Sequence, residues 1–238
     1  MIEEVCRPVL FEQEDSEYPY WGKGSSVLVA NSSYYYWVTA AHVIDKMGGS
    51  ADSLRIFSSE SSRVSLPYNQ QYRIEDDGGQ PEDYRDLFVL RVDLEEFAST
   101  GDAPLTAQDV EQGAMPAEEL SEGTRLLVVG YPSESRAVDY EQFKIEYKRQ
   151  WIPAEYAGPG ADNHCHKMIL SESAGLNDYD GLSGSPVLYE KSYISKKLAI
   201  VPILVGLLLR GGAQSRHAHF VSANVLVNLI QKAEDRNA

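Results

Sequence analysis

The sequence predicts an all-β protein of antiparallel sandwich or barrel type, finished by one C-terminal helix. Three observations predict it. Short β-rich or period-two runs recur along the whole chain, clusters of Gly, Asn, Ser and Asp divide them, and scarcely any long stretch carries apolar residues at helical spacing. Parallel βαβ architecture is disfavoured, because it needs helical patterns between its strands.

In the first half the strand-like segments are SSVLVA at 25–30, YYYWVTA at 34–40, LRIF at 54–57 and DLFVLRV at 86–92. The second half continues with TRLLVVG at 124–130, QFKIEYKRQW at 142–151, KMIL at 167–170, SPVLY at 185–189, AIVPILVGLLL at 199–209 and AHFVS at 218–222. The stretch at 106–123, within a longer run rich in Pro, Gly and acids, reads as a connection between two groups of strands, with a decorated surface loop as the alternative. The helix is expected over 222–234, where Val225, Leu226, Leu229 and Ile230 recur every three to four residues and Ser222 can cap the start.

At 238 residues the chain is long enough to bury a sizeable core, and 43% hydrophobic with 24% charged residues is ordinary for a globular protein. The 36 acidic against 21 basic residues give a formal charge of −15, which argues against nucleic acid or an anionic membrane as partner. Two cysteines, Cys6 and Cys165, are too few for a disulfide framework and suit a reducing compartment. The N-terminal MIEEVCRPVLFEQEDSE has acids where a secretion signal needs a basic start. The longest apolar run, Leu198 to Leu209, is broken by Pro202 and Gly206 and is far shorter than the roughly 20 residues of a membrane span. A cytoplasmic protein is expected.

Three strings carry chemistry. In Gly181-Leu182-Ser183-Gly184-Ser185-Pro186 glycines flank a serine ahead of an apolar strand, so a tight turn can aim its amides at a developing oxyanion. A plain Gly-Ser turn is the competing reading. In Trp37-Val38-Thr39-Ala40-Ala41-His42 a histidine follows a strand among small residues, as a base for a serine hydroxyl or as a structural imidazole. Asp86 heads the apolar run Leu87-Phe88-Val89-Leu90, where its carboxylate can fix a histidine tautomer, start a strand or pair with Arg85; Asp83 is its rival.

In the order His, Asp, Ser, these strings resemble the trypsin/chymotrypsin-like serine peptidases, with TAAH, DLFVL and GLSGSP matching the family's three motifs. His42 to Asp86 spans 44 residues and Asp86 to Ser183 spans 97, spacings similar to the family's. Val129-Gly130-Tyr131-Pro132 resembles the opening of the second barrel in bacterial members, and Leu204 to Leu208 the strand that pairs with substrate. The resemblance implies two six-stranded antiparallel barrels at about 15–105 and 124–221. It implies His42, Asp86 and Ser183 as catalytic residues, an oxyanion hole from the amides of Gly181 and Ser183, and substrate contacts at Leu208, Leu209 and Gly211.

Two departures bear on regulation and specificity. Leu182 stands where zymogen-activated members carry an Asp that pairs with a new N-terminal ammonium, so activation by clipping is not expected, and the oxyanion loop is either preformed or ordered by an activating partner protein. Asn177 lies at the base of the specificity pocket that the resemblance implies, where an acid selects Lys or Arg; Asp178 and Asp180 stand nearby in sequence, and Asp178 can supply the charge for a preference for basic residues.

His164-Cys165-His166 and His217-Ala218-His219 each place two imidazoles on one face of an extended chain, a zinc-like pattern that nothing brings together in sequence. No metal and no organic cofactor is expected. Of the 15 tyrosines, three stand in a row at 34–36, where strand alternation sends one to the opposite face. The expected activity is endopeptidase action on protein or peptide substrates, with a protease-fold binding or regulatory module and an esterase of small acyl esters as alternatives.

Overall fold

A computed structural model describes residues 4–14, 19–45, 51–60, 62, 64–74, 83–139, 144–172, 175–194, 198–212 and 214–235. The first half holds β1 (Cys6–Pro8), β2 (Leu10–Glu12), β3 (Tyr20–Trp21), β4 (Ser25–Ala30), β5 (Tyr35–Ala40), the short helix α1 (Ala41–Asp45), β6 (Leu54–Arg55), β7 (Tyr68–Arg73), β8 (Leu87–Val92) and α2 (Leu94–Ser99). The connection contributes β9 (Gln108–Asp109). The second half holds β10 (Arg125–Gly130), β11 (Arg136–Asp139), β12 (Lys144–Tyr147), β13 (Gln150–Pro159), β14 (Cys165–Leu170), β15 (Pro186–Ile194), β16 (Leu198–Gly211) and β17 (His217–Ser222), followed by α3 (Ala223–Asp235).

The second half closes on itself as a six-stranded barrel in the order β10-β13-β14-β17-β16-β15. Period-two patterning explains the closure: along β13, Ile152, Ala154 and Tyr156 point inward while Trp151, Pro153 and Glu155 point out. Ile152 and Tyr156 meet Val128, Met168, Val205, Leu208 and Phe220 in the interior, all essentially removed from water. Residues 142–143 of the strand expected at 142–151 lie outside the described residues, and the rest of that segment divides between β12 and the start of β13.

The first half is a sheet in the order β1-β4-β5-β8-β7, with β9 added in parallel to β4, beside a three-stranded sheet β3-β2-β6. Its described pairings do not close it, so one closed barrel is shown among the described residues. The two sheets share backbone, since β1 and β2 are halves of one extended segment broken only at Val9, whose N–H donates to Gly24 O. The hairpin between β4 and β5 turns where the Asn31 carboxamide accepts from the N–H groups of Ser33 and Tyr34.

The connection crosses from one half to the other. Val110 N–H donates to Ala30 O in the first sheet, and Met115 N–H donates to Leu204 O in the barrel. Ser222 directly precedes α3, but its hydroxyl accepts from Ala117 N–H and donates to Glu118, so it ties the connection down rather than capping the helix as expected. Helix α3 buries Val225, Leu226, Ile230 and Ala233. Its Glu234 accepts from the Tyr36 hydroxyl and the Asn31 amide and fastens the helix to the first sheet.

Both cysteines are buried and unbridged. Cys6 donates to Val129 O across the junction of the halves, and burial pushes its thiol up to about 12, which suppresses the reactive thiolate. No helix among the described residues is long and apolar enough to cross a membrane.

Candidate active site

β5 runs through Trp37-Val38-Thr39-Ala40, and the chain turns at once into α1, which puts His42 on the first turn of that helix. Ala40 and Ala41 are buried and too small to cover the imidazole. Antiparallel pairing sets Leu87 opposite Ala40, so Asp86, one residue before β8, arrives beside α1, where its carbonyl accepts from Ala41 N–H. One carboxylate oxygen of Asp86 accepts from the backbone N–H of His42 at 2.8 Å, and the other lies 2.5 Å from His42 Nδ1. With both oxygens engaged by one residue, the ring has a single orientation. Asp83, the rival acid, pairs instead with the guanidinium of Arg210.

Ser183 reaches this pair from the barrel half, with Oγ 2.9 Å from His42 Nε2. The Nδ1 proton is committed to the carboxylate, so Nε2 is a lone-pair acceptor facing the hydroxyl. The same Oγ lies 2.9 Å from Leu209 O. One hydroxyl proton therefore has two acceptors, the imidazole and a backbone carbonyl.

The turn around Ser183 is closely held. Gly181 and Gly184 both have φ of +88°, in the left-handed region that favours glycine, and a Cβ on them would lie 2.4 Å from Tyr131 O and 2.0 Å from Ser25 O. The N–H groups of Asp180, Leu182, Gly184 and Ser185 donate to the Asp178 carboxylate, Tyr179 O, Leu208 O and Leu182 O. The N–H groups of Gly181 and Ser183 donate to no acceptor among the described residues. Two amide donors of the turn that carries Ser183 are thus left over, while its other N–H groups are engaged. Leu182 is fully buried in the barrel's apolar interior.

No protein-family model matches this chain, and no curated protein does.

Of the expected substrate contacts, Leu209 touches Ser183 through its carbonyl, Leu208 is buried in the barrel interior, and Gly211 is exposed beside the ring of Tyr179. Asn177 and Asp178 are exposed. The Asn177 backbone N–H and carboxamide donate to Glu134, and Asp178 accepts from Asp180 N–H. The histidine groups lie on and just before the neighbouring strands β14 and β17 and have local partners: His166 Nδ1 is 2.8 Å from the Tyr156 hydroxyl, His164 and His166 stand 3.5 and 3.6 Å from Glu118, and His217 Nδ1 is 2.8 Å from Ser215 O. A different group, Asp83, Asp162 and Cys165, converges within 4.8 Å, with Asp83 already paired to Arg210.

Sequence reasoning missed Ser25 and Lys23, and named Leu209 only as a substrate contact, not as a carbonyl partner of the Ser183 hydroxyl. Lys23 forms an ion pair with Asp180 at the mouth of the turn, and Ser25, fully buried, bonds to the turn twice. The only cue was a polar strand start after Gly22-Lys23-Gly24, which has no chemistry of its own.

Burial lowers the pKa of His166 below its ordinary 6.5, with Glu118 opposing the shift, and burial lowers that of His219 as well. The unfolded chain therefore binds more protons than the folded one as pH falls from about 6.5 towards the folded values. Stability in urea should accordingly be lower at pH 5.5 than at pH 7.5. His166→Gln keeps a partner for the Tyr156 hydroxyl and should shrink that difference, leaving the part owed to His219. A midpoint that rises on acidification would contradict the assignment.

Proposed function

We infer that this chain is a serine endopeptidase resembling the trypsin/chymotrypsin-like peptidases, cleaving peptide bonds of protein substrates. The observation that carries the reading is the hydrogen-bonded series Asp86, His42, Ser183 set beside two undonated amides of one rigid turn. The closed barrel of the second half supports the finer fold reading, and the shared backbone of β1 and β2 supports a first half that curls towards a second barrel. The buried thiols suit a reducing cytoplasmic setting.

In this reading Ser183 Oγ attacks the scissile carbonyl carbon while its proton passes to His42 Nε2. Asp86 steadies the imidazolium and holds its tautomer. The oxyanion of the tetrahedral intermediate takes hydrogen bonds from the amides of Gly181 and Ser183, each contributing roughly 3 to 4 kcal/mol at the transition state. Collapse breaks the C–N bond as His42 returns the proton to the leaving amine. A water molecule, deprotonated by His42, then releases the acid and restores the serine. None of these steps requires a metal or organic cofactor.

The bonds holding the turn favour a preformed oxyanion loop over one ordered by an activating partner. The purified protein alone should therefore take up a serine-directed phosphonate, as one adduct that peptide mapping assigns to Ser183. Absence of labelling, or labelling elsewhere, would remove the reading.

A further inference from the structure

We propose that Ser25, on the first strand residue after Gly24, is a positioning residue that sets the oxyanion donors from the opposite half of the molecule. This inference rests on the peptidase reading. Ser25 is fully removed from water, and its two donors go to two carbonyls of the turn: Oγ–H to Gly181 O at 2.7 Å and N–H to Ser183 O at 2.8 Å. Those carbonyls belong to the peptide units on either side of the unit that carries the Ser183 N–H. Fixing both neighbours leaves that unit little rotation, so its N–H keeps one direction.

The peptide unit carrying the Gly181 N–H is held separately, because its carbonyl, that of Asp180, accepts from Ser133 N–H at 2.7 Å. Both candidate donors are thereby set by bonds to the far side of their own or adjacent peptides. Ser25 is itself restrained on every polar atom: Oγ accepts from Tyr131 N–H at 2.8 Å, and its carbonyl accepts from Thr39 Oγ1 at 2.8 Å. A hydroxyl with one donor and one acceptor both spoken for has one rotamer.

Ser25 touches neither His42 nor Asp86 through any of these bonds, so its loss should alter the oxyanion donors and spare the base. For Ser25→Ala, kcat on fluorescein-casein should fall about ten- to hundredfold, less than the loss of a donor itself. KM should stay within a factor of about two, since Ser25 is fully buried and offers substrate no contact, and phosphonate labelling should slow in parallel with kcat. The pH–rate profile should keep the inflection of the wild type. Ser25→Cys retains a weak donor of similar size, and its rates should fall between the two. If Ser25→Ala lacks a cooperative unfolding transition, Ser25→Cys alone decides the matter. Labelling and turnover at the wild-type rate in the folded variant would overturn the positioning role and leave the peptidase reading standing. A wild-type protein that neither labels nor cleaves would end both.

Discussion

Ser183→Ala is expected to lower hydrolysis of fluorescein-casein by about 10³-fold or more, because residual catalysis would have only the amide donors and binding to draw on. The change deletes one oxygen from a half-buried side chain. His42 Nε2 loses its nearest partner, but the ring is 25% exposed and water can take the vacated place. The unfolding midpoint should therefore move little, by less than about 1 kcal/mol in stability. Leu209 O is also freed of the hydroxyl, which leaves an open acceptor beside position 183 for an extended chain. The variant should thus still bind casein and should recover intact substrates in a pull-down. Casein hydrolysis that survives in the alanine variant would assign the activity to another group and discard the proposed mechanism. Loss of binding along with hydrolysis would show that the substitution disturbed more than the nucleophile.

The strands with long apolar runs were legible in both halves: SSVLVA is β4 of the first sheet residue for residue, and AIVPILVGLLL lies wholly within β16 of the barrel. Tyr68–Arg73 was not legible. It reads YNQQYR, with both alternating positions polar or half-polar, and it becomes β7 only because β8 presents an edge to pair with. Helix α2 is six residues long, too short for a periodic signal, and owes its start to the Asp93 side chain accepting from Glu96 N–H.

The candidate site divides in the same way. A serine, a histidine and an acid carry their chemistry in their side chains, and glycines are marked by the backbone freedom that lacking a side chain gives, so the strings around Ser183, His42 and Asp86 could be read. The carbonyl of Leu209 and the amide of Ser133 act through backbone that every residue possesses. Ser25 works through hydrogen bonds to carbonyls 156 and 158 positions away. Sequence offers no pattern for such contacts, because they exist only once the two halves meet.

Asp86→Asn should reduce kcat by about 10³- to 10⁴-fold with KM changed by a small factor, and the reason lies in which atoms the two carboxylate oxygens face. One oxygen accepts from the backbone N–H of His42 and the other from Nδ1. A carboxamide offers one oxygen and one NH₂. If the NH₂ turned towards the backbone N–H, two donors would oppose each other at a partly buried site, at a cost of about 1–3 kcal/mol. The favoured rotamer keeps the oxygen on the backbone and points the NH₂ at Nδ1. That nitrogen must then be the lone-pair acceptor, and the ring proton moves to Nε2. Nε2–H donates to Ser183 Oγ, whose own proton goes to Leu209 O at 2.9 Å, so the structure even provides a resting place for the inactive arrangement. The serine then faces a donor where it needs a base. Nitrogen-15 spectra of the imidazole should report the Nε2–H tautomer in the variant and Nδ1–H in the wild type, while the unfolding midpoint stays close to unchanged. Turnover near the wild-type level with the asparagine in place would mean that Asp86 merely braces the start of α1, and that the proton path runs through another acid.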